Sequence, residues 1–472
     1  MDDFHKIFDQ PHCEHNQAKS KKDRNSGCTR PEPGSAMGGC TYDGAISSLL
    51  PIADAIHLVH GTSACVANGW ESRGSLSSWP GDPFTRWGFS TELTETQVIL
   101  GGEGKLLEAI RSAVQRFVPQ AVFVYSTCVT ALIGEDIEAV CREAQLELKI
   151  PVIPVGAAGF LGSKNLGTRI AGEVLINHVI GTREPREATP YDVNIIGEYN
   201  IAGELWQIEE LLRQVGIRLR SSITGDGRFA RIQTAHRAQA SMVVCSRALL
   251  NVAHALLDRY QIPFFEGSFY GKSEIATALR NFGKLLGADI AQKIEQFIVT
   301  QELEVTERLA PYVEMIKGRK ALLYTGGVKS WALISALQDL GMQVVATSNR
   351  KSTQDDVDKM KALLGDEGVV FEEGGAQSIL RMMAEMGAEI LLAGGRNQYT
   401  AAKSVVPFID VNQERHRNYA GYDGLVNLAQ DLAREITNPV YTQLREGKRH
   451  LGYSERMEMN QRCVQSFRQI IL

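Results

Sequence analysis

Short apolar runs alternate with longer amphipathic segments along most of the chain from Thr41 onward. Several runs have the length and the β-branched content of buried strands. These runs are AVFVY (121–125), PVIPV (151–155), VNIIG (193–197), MVVC (242–245), ALLYT (321–325), MQVVAT (342–347) and EILLAG (389–394). Most of them are followed by a segment with helical periodicity, such as GEDIEAVCREAQ or SWALISALQDLG. Apolar strands that alternate with amphipathic helices predict parallel sheets with helices on both faces.

Two strand–helix–strand units are the clearest part of this pattern, at 193–222 and 321–347. A glycine lies near the end of the helix in each unit, as is common where a helix stops. Charged stretches at 182–192 and 291–318 precede the two units and suggest boundaries. We therefore predict an α/β protein with three doubly wound domains. The predicted segments are an N-terminal arm at 1–40, α/β domains at 41–190, 191–316 and 317–437, and a charged helical tail at 438–472.

Composition and charge argue against nucleic acids and membranes as partners of this protein. The 472 residues are 44% hydrophobic and 22% charged, which is ordinary for a globular protein. A formal net charge of −5 argues against nucleic acid or an anionic membrane as the main partner. No apolar run reaches the roughly 18 residues of a membrane span, and the first residues lack the pattern of a secretory signal. We expect a cytoplasmic protein whose eight cysteines stay reduced.

Four cysteines lie at predicted strand ends or in turns, where ligands bind in open parallel sheets. Cys128 follows AVFVYST and Cys245 ends SMVVC, each just before a helical segment. Cys40 lies in GGCTYDG and Cys65 in HGTSACV, both beside glycines. A thiol in a tight turn next to a helix N-terminus is suited to bind a soft metal or to act as a nucleophile. For any one cysteine, a small buried apolar residue is the commoner alternative.

The remaining cysteines and the glycine loops add little chemistry. Cys141 and Cys463 lie in helical segments and fit a buried apolar role, whereas Cys13 and Cys28 on the arm stay ambiguous. The sequence has no CxxC pair, so a zinc ribbon or a ferredoxin-like cluster is not supported. The Gly-Gly loops after ALLYT and EILLA match no nucleotide-binding fingerprint. The residues alone indicate only an α/β protein with a candidate iron–sulfur or metal site.

Several longer motifs, taken together, indicate the family of the protein more closely. They are GGCTYDGA, LVHGTSAC, VYSTCVTALIGEDIEAVC, IIGEYNIAGELW, FFEGSFYG, LLYTGGVKSWALISALQDLGM, AGGRNQYTA and AGYDG. In this order they resemble the E subunits, the α-like half, of the nitrogenase cofactor-assembly scaffold, a family homologous to dinitrogenase. The resemblance runs from about Cys13 to about Arg434. It implies three Rossmann-like domains of the nitrogenase component 1 type around a shallow cleft.

The resemblance also implies two metal sites. Cys40, Cys65 and Cys128 match family cysteines that bind a [4Fe–4S] cluster at the subunit interface, with a fourth cysteine from the partner N subunit. Cys245 matches the cysteine that holds the cofactor precursor, an iron–sulfur–carbide core. Cys28 matches a family cysteine linked to delivery or handling of that precursor.

Departures from the pattern of dinitrogenase α subunits favour a protein that holds the cofactor transiently over one that catalyses a reaction with it. The histidine that anchors the cofactor in dinitrogenase α subunits corresponds to Asn412, and an amide is a poorer metal ligand than imidazole. The Gln and His near the reacting face of the enzyme cofactor become Lys164 and Thr168. A weakly tethered cofactor suits transient binding. The segment NGWESRGSLSSWPGDPFTRWGF departs from the commonest molybdenum-type scaffold, which leaves a vanadium system open.

Cations and glycines near the cleft complete the expected second site. The precursor is anionic and homocitrate is a tricarboxylate, so positive side chains are physically sensible there. The candidates are Arg73, Lys164, Lys329 and Arg396. For each of them the alternative is a solvated surface charge. Gly326 and Gly327 would let the backbone approach a bulky cluster, with a simple strand-to-helix turn as the alternative.

The function that the resemblance implies is maturation of the nitrogenase cofactor. The scaffold would receive its precursor from an upstream radical enzyme and gain a heterometal and homocitrate with the help of the nitrogenase iron protein. It would then pass the product to apo-dinitrogenase. The N subunit would complete an α2β2 heterotetramer, and we expect an assembly scaffold rather than a stand-alone catalyst.

The sequence leaves two alternatives to the scaffold. One is the α subunit of a catalytic nitrogenase-like reductase. It needs a histidine near Asn412, which His416 could supply only if the local register shifted. The other is a metal-free nucleotide-binding enzyme, which is disfavoured because no phosphate fingerprint follows a predicted strand.

Overall fold

The structure is a computed structural model. It describes residues 39–71, 75–80, 84–245, 249–349, 352–372, 375–412 and 415–450. Outside these ranges lie nearly all of the predicted arm and four residues considered above: Cys13, Cys28, Arg73 and Cys463.

The first sheet has four parallel strands in the order β2–β1–β3–β4. Its strands are β1 (Ala55–His60), β2 (Phe89–Ser90), β3 (Ala121–Ser126) and β4 (Val152–Val155). Its helices are α1 (Thr41–Leu49), α2 (Ser63–Glu71), α3 (Glu95–Leu100), α4 (Glu103–Phe117), α5 (Cys128–Leu132), α6 (Ile137–Leu148) and α7 (Lys164–His178), with short 3-10 turns at Phe84–Arg86 and Gly159–Leu161. Strands β1 and β3 are buried at every position, as expected of central strands covered on both faces.

The second sheet also has four parallel strands, in the order β6–β5–β7–β8. Its strands are β5 (Asp192–Ile196), β6 (Arg218–Ile223), β7 (Ala240–Val243) and β8 (Phe264–Glu266). Its helices are α8 (Glu204–Gln214), α9 (Phe229–Gln233), α10 (Leu250–Tyr260) and α11 (Lys272–Leu286), with a 3-10 turn at Ala235–Arg237. The 29-residue helix α12 (Ala288–Ile316) leads from this sheet to the next.

The third sheet has five parallel strands in the order β11–β10–β9–β12–β13. Its strands are β9 (Lys320–Tyr324), β10 (Gln343–Ser348), β11 (Val369–Phe371), β12 (Ile390–Ala393) and β13 (Phe408–Asp410). Its helices are α13 (Val328–Asp339), α14 (Gln354–Leu364), α15 (Ala376–Met386), α16 (Gln398–Ser404), α17 (Gly421–Ile436) and α18 (Pro439–His450), with a 3-10 turn at Gly395–Asn397. In the described part of the chain, no helix combines the length and the apolar character needed to cross a bilayer.

The three parallel sheets confirm the predicted α/β class, and each apolar run that was predicted as a strand forms one. The sheets occupy consecutive stretches of chain. Because parallel strands end at the same edge of a sheet, the turns after β5 and β7 lie side by side, while β9 is the central strand of the third sheet.

Helices α1 and α7 make the closest backbone contact in the first sheet's helical layer. A Cβ atom on Gly44 would lie 1.9 Å from the carbonyl oxygen of Lys164, and one on Gly167 would lie 1.8 Å from that of Thr41. Both positions therefore require glycine, because no side chain fits between the two backbones. The ammonium of Lys164 lies 3.2 Å from the carboxylate of Asp43 and adds an ion pair between the same helices.

Candidate functional site

Three cysteine thiols of the first sheet approach one another at its carboxyl edge. Cys40 precedes α1, Cys65 lies in the first turn of α2, and Cys128 begins α5. A Cβ atom on Gly159 would lie 3.0 Å from the sulfur of Cys128 and 3.1 Å from that of Cys40. The two sulfurs are therefore no more than 6.1 Å apart, the sum of these distances.

Cys65 belongs to the same group of thiols. Burial raises the pKa of the Cys65 thiol, and the neighbouring thiols of Cys128 and Cys40 raise it further. All three cysteines are half-buried and free of disulfides. Thiols that hinder one another's ionisation need a cation to exist together as thiolates, which bound iron supplies.

The upper limit of 6.1 Å between two of these sulfurs is compatible with a cluster as well as with one ion. Thiolates on a single tetrahedral metal, with bonds of about 2.3 Å, lie about 4 Å apart. In an iron–sulfur cluster each thiolate binds a different iron, so the sulfurs stand farther apart. Among the described residues, no group of three His, Cys, Asp or Glu converges on a position for one metal ion. Gly159 leaves free the space beside two sulfurs that any larger residue would fill.

Large apolar side chains are exposed around the thiols. Phe160, which follows Gly159, is 55% exposed, and Leu132, which ends the helix begun by Cys128, is 75% exposed. Exposed apolar side chains grouped around half-buried polar groups are typical of a surface that a protein partner covers.

A buried histidine supports the two turns that carry Cys65 and Cys128. His60 ends β1, and its Nδ1 atom lies 3.0 Å from the hydroxyl of Thr91. Its Nε2 atom is hydrogen-bonded to the carboxylate of Glu135. The hydroxyl of Thr127, next to Cys128, donates to the backbone carbonyl of His60 at 3.0 Å. No pattern in the sequence indicated a role for His60 or Glu135, although both lie within the motifs LVHGTSAC and VYSTCVTALIGEDIEAVC.

The second site is a cavity of about 280 Å³ at the ends of β5, β7 and β9. Residues from α7 and from the loop after β13 complete its wall. The lining includes Asn165, Thr168, Gly197, Glu198, Tyr199, Val244, Cys245, Ser268, Phe269, Tyr270, Tyr324, Thr325, Gly326, Gly327, Val328, Lys329, Asn412, Arg415 and Ala420. The cavity therefore lies where the predicted parallel sheets place ligands.

The cavity brings together some of the predicted cofactor-binding residues and not others. Cys245, Gly326, Gly327, Lys329 and Asn412 all line it. Lys164 is absent from the lining and pairs with Asp43 instead. Arg396 is also absent and is exposed in the turn after β12. His416, the possible substitute ligand of the reductase alternative, is exposed and does not line the cavity either.

Buried charges form the floor of the cavity. Arg415 is only 7% exposed, and its Nε atom donates to the carboxylate of the fully buried Glu204 at 2.9 Å. The guanidinium also lies 3.3 Å from the hydroxyl of Tyr270. The other oxygen of Glu204 accepts the backbone N–H of Ala202 at 2.9 Å. These groups satisfy one another, so the floor keeps its shape without a ligand.

Two titratable groups face this ion pair. Burial lowers the pKa of Lys329 to about 8, with a further contribution from the nearby Arg415. Burial and the neighbouring Glu204 raise the pKa of Glu198. The Glu198 carboxylate accepts the backbone N–H groups of Tyr199 and Asn200 at 3.0 and 2.8 Å. An anionic ligand would favour the charged form of Lys329.

Two connections join the thiol group to the cavity. The first is the helix pair α1–α7, which starts beside Cys40 and carries Asn165 and Thr168 of the cavity wall. The second follows α2, where the Ser75 hydroxyl donates to the carbonyl of Tyr199 at 2.9 Å. The backbone N–H of Leu76 donates to the carbonyl of Asn200 at 2.9 Å, and the side-chain amide of Asn200 donates to the carbonyl of Leu76 at 2.8 Å. These contacts link the two sites through described residues.

Comparison with known proteins places this geometry in a family. Residues 40–437 match the sequence profile of the nitrogenase component 1 type oxidoreductases. The chain belongs to the nitrogenase component 1 family. Among solved structures of this family it is similar to one described as nitrogenase Cp1 at pH 6.5. The two share 25% identity with a TM-score of 0.79 over 88% of this chain and 92% of that one. The predicted component 1 fold is confirmed.

Within the nitrogenase component 1 family, two curated relatives share about half of their aligned residues with the chain. Each is named nitrogenase iron-molybdenum cofactor biosynthesis protein NifE. The relative from Rippkaea orientalis is 50% identical over 94% of this chain and 94% of its own length. The relative from Klebsiella pneumoniae is 51% identical over 93% of this chain and 96% of its own length. The resemblance found in the sequence motifs is therefore confirmed.

Proposed function

We propose that this chain is a scaffold subunit on which the precursor of the nitrogenase active-site cofactor is matured before transfer to apo-dinitrogenase. The observation that carries the proposal is the make-up of the cavity wall. Among the described lining residues, Cys245 supplies the one thiol, and there is no histidine. A cavity with one strong ligand for soft metals can hold a cluster and still release it. The names of the curated relatives support the same role.

The residues of the cavity would bind the precursor transiently and release it later, so the precursor is called the cargo below. The Cys245 thiolate would bind it, and Lys329 would offset its negative charge. Gly327 has φ 63° and ψ −149°, a conformation that favours glycine, so the backbone passes the cavity without a side chain. Asn412 is exposed at the rim and offers an amide where dinitrogenase α subunits offer an imidazole.

The resident cofactor in this proposal is a [4Fe–4S] cluster held by Cys40, Cys65 and Cys128. When bound, such a cluster supplies one-electron transfer. Three thiols leave one iron for a ligand from another chain, and the exposed Leu132 and Phe160 support coverage of this face by a partner subunit. We propose an α2β2 heterotetramer with the N subunit.

The resemblance to the cofactor-assembly scaffold supports the identity of the other reactants. We propose that an upstream radical enzyme supplies the precursor and that the nitrogenase iron protein assists insertion of a heterometal and homocitrate. The names of the relatives support molybdenum as the heterometal. A vanadium system remains the alternative that the divergent segment at 68–89 motivated. Metal analysis of the matured complex distinguishes the two.

A cysteine exchange tests the cargo site. The complex with its partner subunit is loaded with precursor, and iron per complex is measured for the parent, Cys245→Ala and Cys141→Ala. Cys141 is a matched control because it is buried in α6, where burial raises the pKa of its thiol to about 12. We expect Cys245→Ala to lose the cargo iron and its transfer to apo-dinitrogenase, while the control keeps both. Full iron and normal transfer in Cys245→Ala would exclude the proposed site.

A further inference from the structure

Two consecutive buried hydroxyl groups beside Cys40 have no hydrogen-bond partner among the described residues. In the described part of the chain, the buried side-chain polar atoms that lack a hydrogen bond are Thr41 Oγ1, Tyr42 Oη, His236 Nδ1, Thr347 Oγ1 and Tyr422 Oη. A buried hydroxyl that makes no hydrogen bond is unfavourable, and most such groups in native proteins are satisfied. The occurrence of two of them directly after a proposed metal ligand calls for a physical explanation.

The hydroxyl of Tyr42 lies against the helix that carries Cys65. A Cβ atom on Gly69 would lie 3.2 Å from Tyr42 Oη. Gly69 is four residues after Cys65 in α2, so both project from the same face of that helix. Tyr42 itself is two residues after Cys40 and only 2% exposed. Its hydroxyl is therefore enclosed between the elements that supply two of the three thiols.

The described residues around Tyr42 do not supply the missing acceptor. Its ring packs edge-on against Tyr125, with centroids 6.2 Å apart and an angle of 84°. The hydroxyl of Tyr125 is already paired with His57 Nδ1 at 2.8 Å. A tyrosine hydroxyl is protonated at neutral pH, so Tyr42 can act as a hydrogen-bond donor.

We propose that Tyr42 donates a hydrogen bond to a sulfur of the cluster held by Cys40, Cys65 and Cys128, and that this bond raises the reduction potential of the cluster. The inference rests on the proposed function, because the cluster supplies the acceptor. A hydrogen bond to a cluster sulfur stabilises the more negative, reduced state, so it makes the cluster easier to reduce. Tyr42 is thus a tuning residue, not a ligand.

The test compares two tyrosine variants in the complex with the partner subunit. Tyr42→Phe removes the hydroxyl at the cluster, and Tyr422→Phe removes another buried, unpaired hydroxyl in α17, next to the third sheet. Redox titration followed by EPR gives the midpoint potential of each. We expect Tyr42→Phe to lower the reduced-to-oxidised ratio at a fixed potential by about two- to tenfold, the worth of one hydrogen bond. The Tyr422→Phe control should match the parent. An exchangeable proton coupled to the reduced cluster should also be lost in Tyr42→Phe.

The outcomes separate this inference from the proposed function. A parent complex without a four-iron EPR signal would contradict the proposed function whatever Tyr42 does. A parent and a Tyr42→Phe variant with the same signal and the same potential would overturn the inference alone. If Tyr42→Phe fails to hold its cluster, Tyr42→fluorotyrosine replaces it. Its more acidic phenol is a stronger donor of nearly the same size, so the potential should rise, and an unchanged potential would again overturn the inference.

Discussion

The thiol group and the cavity differ in how their polar groups are satisfied. Beside the thiols, Thr41 and Tyr42 have buried hydroxyls without a partner among the described residues. None of the residues that line the cavity has such an atom. At the cavity floor, Arg415 and Glu204 pair with each other at 2.6 Å.

This contrast indicates two kinds of occupancy. A site whose protein groups are complete only with its ligand is suited to a resident cofactor, because emptying it leaves buried polar groups unpaired. A cavity that satisfies its own charges stays formed when its ligand leaves. The number of thiols agrees with this division, with three at the first site and one at the second. This division supports the proposal that the chain keeps one cluster and releases another.

The largest expected effect comes from the helix pair that both sites share. Gly44→Ala would force a methyl group onto a backbone oxygen that lies 1.9 Å from its position. We expect a loss of about 3 kcal/mol or more in the free energy of unfolding, with loss of both sites. Gly104→Ala is the control, because Gly104 is exposed in α4 with no atom within 4 Å of the new methyl group. It should stabilise the helix by about 0.5–1 kcal/mol. Urea unfolding of both variants measures the difference, and equal stabilities would contradict the packing described.

A second substitution should affect the thiol group alone. Gly159→Ala would place a methyl group 3.0 and 3.1 Å from the sulfurs of Cys128 and Cys40. The thiols would have to move apart, so we expect little cluster to be retained while the fold and the Cys245 cavity persist. Iron analysis and EPR of the complex measure this, again with Gly104→Ala as the control. Normal cluster content in Gly159→Ala would show that the cluster does not occupy the space beside this glycine.

The cavity is tested by giving it a second strong ligand. Asn412→His would add an imidazole at the rim, as in dinitrogenase α subunits. Each 1.4 kcal/mol gained in binding slows release about tenfold if association is unchanged. We therefore expect normal loading and about tenfold slower transfer to apo-dinitrogenase. Asn412→Ala is the matched control and should transfer at least as fast as the parent. Parent-like transfer from a loaded Asn412→His complex would remove Asn412 from the mechanism.

The smallest expected effect is a dependence on pH. The pKa of Lys329 is lowered to about 8, so its ammonium is charged below that pH and is progressively lost above it. An anionic cargo favours the charged form, hence retention should weaken as the pH rises through and above 8. Lys329→Met should bind less cargo at low pH and lose this dependence. Lys293→Met, an exposed position on α12, is the control. Retention of cargo against pH in the three proteins checks the sign.

Much of the fold was predictable because long buried strands carry a strong signal. AVFVYS forms β3, which is buried at every position, and the neighbouring apolar runs behave alike. Strands such as β2, with two residues, and β13, with three, are too short to show a period of their own. Their pairing is fixed by longer neighbours. The domain boundaries at 190/191 and 316/317 remain predictions.

The site was predictable only where it depends on strand ends or on resemblance. Cys128 and Cys245 were identified because each follows an apolar run at the carboxyl edge of a sheet. The pairing of Arg415 with Glu204 spans 211 residues, so no local pattern indicates it. Lys164 was expected in the cavity, but its position at the start of α7 brings it to Asp43 of the adjacent helix.

The most direct test of the account follows iron during transfer. The complex with its partner subunit is loaded with precursor and then incubated with apo-dinitrogenase and separated from it. Total iron and the EPR signal of the [4Fe–4S] cluster are measured in the scaffold before and after. We predict that the cargo iron leaves with dinitrogenase while the cluster signal stays undiminished. Loss of both in parallel would contradict the division between a resident site at Cys40, Cys65 and Cys128 and a releasing site at Cys245.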